Sequence, residues 1–355
     1  MQEPTANAGN DVEAVEVRTP ARLHLGMFSF GRSDVRSFGG VGMMIERPGV
    51  QLRVMRAASV KARGVLAERA VAAADACLRH WRLPSTNGVF IDVISAPREH
   101  AGLGCGTQLS LAVAAGIGAI HGPGVAGGFH GDAEQSVSLE PSQVLELARA
   151  VGRGKRSCIG LHGFARGGLI IESGRLVAEG SKEADGDDPF SPLVARVRLP
   201  STWRCVVVMQ KGMSGLHGEK ERRAFEELPA VPLEVTAEMT RIALLDLMPA
   251  ANEGNFSRFA DAVSRYGAAA GRPFEAVTGR LESSEIIRDV CSLLGELGAR
   301  GVTQSSWGPT VFACCESLAE AAGLLERIDA LELSDHLDVM ITKFDSEGAS
   351  IRRIV

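Results

Sequence analysis

A glycine-rich loop that runs directly into a helix of small residues is the segment best suited to chemistry. The sequence from 97 to 121 reads PREHAGLGCGTQLSLAVAAGIGAIH. Glycines let a backbone approach a phosphate closely, and the N–H groups at a helix start have no partner inside the helix. The loop lacks the Gly-Lys-Ser/Thr ending of a Walker A motif and the glycine spacing of a dinucleotide-binding fingerprint. The residues predicted to hold phosphate or diphosphate are Gly102, Gly104, Cys105, Gly106, Thr107 and Gln108.

The same loop has two other interpretations. A tight loop that only leads into a packed Ala/Gly helix would need the same glycines. Cys105 stands at the helix start, where a thiolate would be stabilised, so a covalent role for its sulfur is a further hypothesis. A small side chain lining an anion site explains Cys105 equally well. The loop by itself therefore predicts an anion site without fixing the reaction.

Basic and polar side chains near the N-terminus are candidates to join that site. The strand segment 18–27 reads RTPARLHLGM, and alternation puts Arg22 and His24 on one face of the strand. Two cationic or hydrogen-bonding side chains there are able to meet a phosphate. A solvent-facing strand side is the alternative. We predict catalytic roles for both residues.

A second basic segment, at 152–168, reads GRGKRSCIGLHGFARGG. Basic side chains in flexible backbone suit a polyphosphate, although a solvated basic loop would look the same. The Gly-Lys pair is not a P-loop, because Arg156 replaces the required Ser/Thr and no strand precedes it. We predict phosphate contacts for Arg153 and Arg156 and a catalytic role for Lys155.

A polar turn between apolar strands forms the third candidate segment, Gln304-Ser305-Ser306-Trp307-Gly308-Pro309-Thr310. The chain has only 3 tryptophans, and one in a turn offers a surface for stacking on a ring. A buried structural tryptophan is the alternative. We predict that Gln304, Ser305 and Trp307 bind an aromatic acid and that Ser306 takes part in catalysis.

Composition limits the classes of function. The chain has 355 residues, 45% of them hydrophobic, and a formal charge of −5, which argues against a nucleic-acid binder. No apolar run is long enough to cross a membrane, and the first ten residues do not resemble a signal peptide. The 7 cysteines show no C-x-x-C pairing, so we expect no disulfide framework or zinc site and a reducing, cytoplasmic location.

Periodicity predicts two α+β domains, at 1–185 and 200–355, separated by an acid-, Pro- and Ser-rich boundary at 180–200. In the first, the predicted elements are strands at 12–19, 49–57 and 89–95, helices at 62–81 and 141–151, and a hairpin pairing 168–173 with 175–179. In the second, they are strands at 203–210, 336–344 and 349–354, helices at 217–228, 233–248, 252–268, 281–299 and 317–328, and a hairpin over 301–315.

The strand motif at 18–27, the loop at 97–110 and the turn at 301–312 resemble, in order and spacing, the three motifs of the GHMP kinase superfamily. The resemblance spans most of the chain. It implies the two-domain α+β fold of that superfamily, with the active site in the cleft between the domains. Kinases of this superfamily typically carry a Ser-Gly-Ile-Asp segment whose aspartate is the catalytic base. Here that position is Gly160, so the kinase mechanism would lose a contribution of about 10²- to 10⁴-fold.

The set GLGCGTQ, GRGKRSCIG and QSSWGPTVFA is instead similar to the β-ribofuranosylaminobenzene 5′-phosphate synthases of methanopterin biosynthesis, which share the fold. That resemblance implies a decarboxylating condensation of phosphoribosyl diphosphate with 4-aminobenzoate or 4-hydroxybenzoate, assisted by Mg²⁺. It leaves the metal ligands unknown. A homodimer is the usual expectation for such enzymes. An ATP-dependent small-molecule kinase and a non-catalytic nucleotide-binding module remain the alternatives.

Overall fold

The fold is built on two antiparallel-rich sheets and the helices packed against them. The computed structural model describes residues 13–84, 86–122, 136–177, 190–213, 215, 219, 223, 226–275 and 282–354. Within them, the first sheet has eight strands and the second has four. The predicted α+β class is confirmed.

The first sheet collects strands from both ends of the chain. Its strands are β1 (Ala14–Met27), β2 (Gly40–Ala57), β3 (Lys61–Gly64), β4 (Gly88–Ser95), β5 (Ser136–Val137), β6 (Leu169–Glu172), β7 (Leu193–Val197) and β12 (Ser350–Ile354). The main path of the sheet runs β3-β4-β2-β1-β12-β5, while β6 pairs with the first part of β2 and with β7. All pairings are antiparallel except that of β3 with β4.

The second sheet is antiparallel throughout, in the order β11-β8-β10-β9. Its strands are β8 (Arg204–Gln210), β9 (Arg300–Gln304), β10 (Thr310–Cys315) and β11 (Leu337–Lys343). The turn between β9 and β10 carries Trp307, so the predicted hairpin is confirmed.

Helices cover both sheets. The first group is α1 (Ala67–His80), α2 (Cys105–His121), α3 (Pro141–Ala150) and α4 (Ile159–Arg166). The second group is α5 (Leu233–Arg241), a π-helical stretch (Ile242–Leu247), α6 (Met248–Glu253), α7 (Phe256–Gly271), α8 (Glu282–Glu296) and α9 (Leu318–Asp329). None of the described helices is long and apolar enough to span a membrane.

The small residues of α2 allow it to pack directly on the first sheet. A Cβ at Gly116 would overlap the side chain of Val54 on β2, so only a glycine permits this approach. Strand β1 changes its buried face along its length. Val15 and Val17 pack in a core with α1, α2 and α3, whereas Leu23 packs in a separate core with α5, α6 and α7. A register irregularity between Thr19 and Ala21 makes this switch. As a result, the side chain of Arg22 in the second half of β1 faces the loop before α2.

Several predicted elements need correction. The stretch 62–81 is not one helix, because Lys61–Gly64 pairs with β4 and α1 begins only after Leu66, which has a φ of 57°. The predicted hairpin of 168–173 with 175–179 is wrong, since β6 pairs with β2 and β7 instead. The helix predicted at 233–248 extends through a π-helical stretch to residue 253.

Other predictions meet the structure only in part. The helix expected at 252–268 begins at Phe256, where the side chain of Asn255 caps it. The helix expected at 217–228 falls mostly outside the described residues, as does the first part of the boundary at 180–200. The later part of that boundary holds β7, and β12 returns to the first sheet beside β1. The domain limits 1–185 and 200–355 stay a prediction.

Candidate active site

A pocket of about 320 Å³ opens where the three motifs meet. The loop before α2 forms one wall, β1 and α1 contribute side chains beside it, and the turn between β9 and β10 forms the opposite wall. Its lining residues are Arg22, Arg69, Glu99, His100, Ala101, Gly102, Leu103, Gly104, Cys105, Gly106, Thr107, Arg153, Ser306, Trp307 and Gly308.

The loop is fixed by hydrogen bonds to the turn of the second sheet. Ser305 Oγ donates to the carbonyl oxygen of Gly102 at 2.7 Å, and Thr310 Oγ1 donates to that of Ala101 at 2.6 Å. Gly102 has a φ of +82°, and a Cβ there would overlap the carbonyl oxygen of Ser305. The loop therefore keeps its shape because glycine is present where the two walls touch.

The start of α2 supplies backbone donors. Gly104 precedes the helix with a φ of 72°, and Thr107 and Gln108 donate their N–H groups to its carbonyl oxygen. The N–H groups of Cys105 and Gly106, which begin the helix, carry partial positive charge. They lie in the wall of the pocket together with the side chain of Thr107. This geometry suits an anion.

Three arginines surround the loop. Arg22 Nε lies 3.2 Å from the position that a Cβ would take at Gly104. The corresponding position at Gly106 lies 3.3 Å from Arg69 Nη1 and 3.7 Å from Arg153 Nη1. We call Arg22, Arg69, Arg153 and the loop Gly102–Thr107 the arginine pocket.

The arginine pocket carries more positive than negative charge. Burial and the neighbouring charge of Arg69 lower the pKa of Arg153, whose Nε is buried without a hydrogen-bond partner. Arg153 Nη2 donates to Ser110 Oγ at 3.1 Å, which fixes its direction. Glu99, at 2.5 Å from Arg69 Nε, is the one acidic side chain among the described residues of the lining. A bound polyanion would compensate the remaining charge.

The thiol of Cys105 is not activated by the helix start. Burial, together with the charge of Glu99, raises the pKa of Cys105 to about 11 against the opposite effect of Arg69 and Arg153. At neutral pH the sulfur is therefore protonated, and a thiolate nucleophile is not supported. Cys105 lines the pocket as a small side chain, which is the simpler of its two interpretations.

The two polar residues of β1 have different surroundings. Arg22 lines the pocket, whereas His24 is buried and lies outside the lining. Burial and the charge of Arg22 hold the pKa of His24 well below its usual value, so its ring is neutral. Its backbone N–H donates to Ser305 Oγ at 3.0 Å, and its carbonyl accepts from Ser306 N. His24 thus joins β1 to the turn, and the catalytic role predicted for it stays a prediction.

The basic segment divides into a pocket side and a surface side. Arg153 points into the pocket, while Lys155 and Arg156 are exposed and lie outside its lining. Gly154, with a φ of 91°, separates Arg153 from Lys155, so the directions of these side chains depend on a backbone turn that alternation does not describe. The roles predicted for Lys155 and Arg156 stay predictions.

A buried acid fixes the other end of that segment. Glu172 on β6 accepts from Ser157 Oγ and from the backbone N–H of Cys158, both at 2.7 Å. Burial raises the pKa of Glu172 to about 7, although these hydrogen bonds and one with Ser191 lower it. We call Glu172, Ser157, Cys158, Ser191 and the nearby Arg175 the Glu172 cluster.

Position 160 lies directly behind the loop. A Cβ at Gly160, in the first turn of α4, would come 3.4 Å from Thr107 Cγ2 and 3.5 Å from Gln108 Nε2. These are ordinary contact distances, so the surrounding atoms leave room for a Cβ at position 160. Gln108 is fully buried and donates its side-chain amide to the carbonyl of Gly160 at 2.9 Å, so it joins α2 to α4 and does not line the pocket.

The turn between β9 and β10 supplies the opposite wall. Trp307 lines the pocket and packs edge-on against Phe274, with ring centroids 5.0 Å apart. Ser306 lines the pocket with a φ of 56°, while Ser305 is fully buried. Gln304 donates its side-chain amide to the carbonyl of Gly308 at 2.8 Å and so closes the turn. Trp307 and Ser306 are placed to meet a ligand, and Gln304 and Ser305 hold the wall.

Three polar lining residues, Arg69, Glu99 and His100, were not among the predicted site residues. Glu99 and His100 directly precede the loop, so their proximity to it was a usable signal. Arg69 lies in α1, more than thirty residues before the loop and outside all three motifs. Only the packing of α1 beside α2 brings it to the pocket.

Comparisons with known proteins agree with this geometry. Residues 247–332 match the family model described as GHMP kinases C terminal. The chain is 27% identical over 347 residues to a β-ribofuranosylphenol 5′-phosphate synthase from Archaeoglobus fulgidus, with 95% of this chain and 99% of that one covered. It is 28% identical over 327 residues to the synthase of the same name from Methanothermobacter thermautotrophicus, with 88% and 92% covered.

Solved structures show the same architecture. Mevalonate diphosphate decarboxylase from Staphylococcus aureus superposes with a TM-score of 0.62 at 12% identity, covering 96% of this chain and 98% of that one. Homoserine kinase from Cytophaga hutchinsonii gives 0.61 at 14% identity, with 99% of both chains covered. The predicted GHMP-kinase-like fold is therefore confirmed.

Proposed function

We propose that this chain is a decarboxylating phosphoribosyltransferase that joins phosphoribosyl diphosphate to a para-substituted benzoate. The observation that carries the proposal is a pocket with an anion loop and three arginines but with glycine at position 160. The similar synthases named above support it over nearly the whole chain. Their names specify a ribosylphenol, which favours 4-hydroxybenzoate over 4-aminobenzoate as the acid.

The first task of the pocket is to hold the diphosphate that leaves. The N–H groups at the start of α2 and the guanidinium groups of Arg22, Arg69 and Arg153 surround one space. Charge develops on the leaving oxygens as the bond between ribose C1 and diphosphate breaks. Donors fixed in place before the reaction stabilise this charge at little reorganisation cost.

The second task is to present the aromatic acid to ribose C1. The ring carbon that bears the carboxylate is para to the hydroxyl group and is therefore electron-rich. It forms the new carbon–carbon bond as diphosphate departs with the bonding electron pair. The bond to the carboxylate then breaks, CO₂ leaves, and that bond's electrons restore the aromatic ring. Ring stacking on Trp307 and a hydrogen bond from Ser306 are the contacts that we assign to the acid.

This sequence of bonds explains why position 160 needs no carboxylate. A kinase must remove a proton from its substrate hydroxyl, and a base for that step typically contributes about 10²- to 10⁴-fold. The condensation transfers no such proton, because CO₂ takes the place of a proton as the group that leaves the ring. A Cβ at Gly160 would make only ordinary contacts, so overlap at that atom is not the reason for the glycine.

The pocket fits a Mg²⁺ ion that arrives with its substrate. Among the described residues, no three His, Cys, Asp or Glu side chains form a metal-binding group. Mg²⁺ usually takes one or two protein carboxylates and completes its shell with substrate phosphates and water. Glu99 is placed to be that carboxylate. Bound there, Mg²⁺ would offset the charge of the departing diphosphate.

Release of labelled CO₂ tests the proposed reaction. The protein is incubated with phosphoribosyl diphosphate, Mg²⁺ and carboxyl-labelled 4-hydroxybenzoate, with 4-aminobenzoate in a parallel arm. We expect labelled CO₂ and diphosphate in equal amounts, and none when phosphoribosyl diphosphate is omitted. If neither acid releases CO₂, the proposal is overturned.

Two alternatives are tested in parallel incubations that contain ATP and candidate alcohols. An ATP-dependent kinase of this fold would form ADP from ATP and a small alcohol, without release of CO₂. A non-catalytic nucleotide-binding module would bind phosphates but form neither ADP, CO₂ nor diphosphate. The absence of a base at position 160 disfavours the kinase.

We also infer a cytoplasmic homodimer. All 7 cysteines are free, which supports a reducing compartment. The dimer rests on the frequency of two-fold symmetry among soluble enzymes. Light scattering coupled to size-exclusion chromatography would measure the mass directly, and a monomer at micromolar concentration would contradict it.

A further inference from the structure

Arg69 and Glu99 form an ion pair inside the pocket lining. Arg69 Nε lies 2.5 Å from Glu99 Oε1, yet that oxygen makes no hydrogen bond. The two side chains are 44% and 34% exposed. Partly exposed pairs of this kind contribute little to stability, because solvent screens them. The contact is therefore easy to separate.

Arg69 is better placed for a ligand than for a structural role. Its guanidinium and that of Arg153 both lie within 4 Å of the position that a Cβ would take at Gly106. The charge of Arg69 lowers the pKa of Arg153, so the two cations repel each other. An anion at the start of α2 would face both guanidinium groups and remove that repulsion.

We propose that Arg69 and Glu99 form an exchangeable ion pair: in the empty pocket Glu99 neutralises Arg69, and diphosphate replaces Glu99 when it binds. Arg69 then becomes a ligand of the leaving group, and the carboxylate of Glu99 is released. The inference rests on the proposed function, because it assumes that the natural ligand carries a diphosphate. It assigns Arg69 a binding role that none of the three sequence motifs contains.

Titration calorimetry with inorganic pyrophosphate tests the exchange without turnover. EDTA is present, so that no metal links Glu99 to the ligand. We expect Arg69→Met to weaken binding about 10-fold, since it removes a charge-assisted contact. We expect Glu99→Gln to tighten binding about 3-fold, since it removes the competing anion.

The double variant separates exchange from a general change of charge. If Glu99 competes through Arg69, the tightening caused by Glu99→Gln falls below about 1.5-fold in the Arg69→Met background. A tightening of equal size in both backgrounds would overturn the proposal. So would a Glu99→Gln variant whose affinity is unchanged or lower than that of the wild type.

Arg63 and Asp92 provide the matched control pair. They form an ion pair of 2.7 Å on β3 and β4, outside the pocket lining. Arg63→Met and Asp92→Asn should leave pyrophosphate affinity within about 2-fold of wild type. Affinity losses there equal to that of Arg69→Met would show a nonspecific charge effect and overturn the assignment.

The result is independent of the labelled-CO₂ assay. A protein that releases CO₂ but shows no coupling between Arg69 and Glu99 retains the proposed function and loses this inference. A protein that shows the coupling but releases no CO₂ keeps the exchangeable pair and loses the proposed reaction.

Discussion

Two polar clusters lie at opposite ends of the segment 153–158, and they differ in how their charge is compensated. In the arginine pocket, Arg22, Arg69 and Arg153 face a single carboxylate among the described lining residues. In the Glu172 cluster, the buried acid accepts hydrogen bonds from Ser157 and Cys158 and lies near Arg175. The arginine pocket has an excess of positive charge that a ligand would compensate, whereas the acid of the Glu172 cluster is hydrogen-bonded within the protein.

This difference separates binding from positioning. Donors and cations that converge without matching acceptors cost free energy unless a ligand supplies the acceptors. Hydrogen bonds to a buried acid instead fix the conformation of the chain around it. The Glu172 cluster holds Ser157 and Cys158 in place, and this anchors the segment from which Arg153 reaches the pocket. Charge alone did not distinguish these roles, because Lys155 and Arg156 between the clusters are exposed.

Removing the charge of Glu172 should give the largest effect, on stability. Its pKa is raised from 4.5 to about 7 in the folded protein. The folded state therefore binds more protons than the unfolded state between these values, and Glu172 loses its stabilising contribution as pH rises from 4.5 through 7. The loss is on the order of 3 kcal/mol. In Glu172→Gln this part of the pH dependence should disappear.

Chemical denaturation of the wild type and of Glu172→Gln between pH 5 and 8 measures this pH dependence of the free energy of unfolding. The free energy of unfolding of the wild type should fall relative to that of Glu172→Gln as pH rises. Parallel curves would show that Glu172 does not titrate in this range. Glu146 on α3 is partly exposed, so Glu146→Gln is the control and should follow the wild type.

Removing a cation from the arginine pocket should affect binding more than folding. Arg153→Met takes away a partly buried guanidinium whose Nε is buried without a hydrogen-bond partner in the protein. We expect pyrophosphate affinity to fall about 30-fold, in line with a charged hydrogen bond. The control is Arg79→Met, at an exposed position in the last turn of α1. Equal losses of affinity in the two variants would remove the distinction between pocket and surface.

An acid at position 160 should offset part of the positive charge of the arginine pocket. Gly160→Asp would put a carboxylate beside Thr107, behind the anion loop. We expect pyrophosphate affinity to fall about 10-fold through repulsion. Gly160→Asn has nearly the same shape without the charge and should lose much less. If both variants bind pyrophosphate equally, position 160 does not act on the pocket electrostatically.

The smallest effect is expected at the wall opposite the arginines. Trp307→Ala should weaken binding of 4-hydroxybenzoate about 3- to 10-fold, the range of an aromatic pair, and leave pyrophosphate affinity nearly unchanged. Trp307→Phe keeps a ring and should restore most of the affinity. Equal loss for both ligands would exclude a stacking role.

The sequence predicts the parts of the site that lie in local motifs. The loop at 102–107, Arg22, Arg153 and Trp307 could be named because glycine spacing and residue type indicate their chemistry. Arg69 could not, since α1 reaches the pocket only through its packing beside α2. Glu172 was missed because its burial depends on the pairing of β6 with β2 and β7. Alternation suggested a local hairpin at that point and carried no information on the long-range partner.

A crystal structure of the protein with bound pyrophosphate tests the central claim most directly. We predict density for the ligand against the N–H groups at the start of α2, within hydrogen-bond distance of the guanidinium groups of Arg69 and Arg153, and with Glu99 separated from Arg69. Density confined to the exposed side of the segment, beside Lys155 and Arg156, would contradict the assignment of the arginine pocket as the diphosphate site.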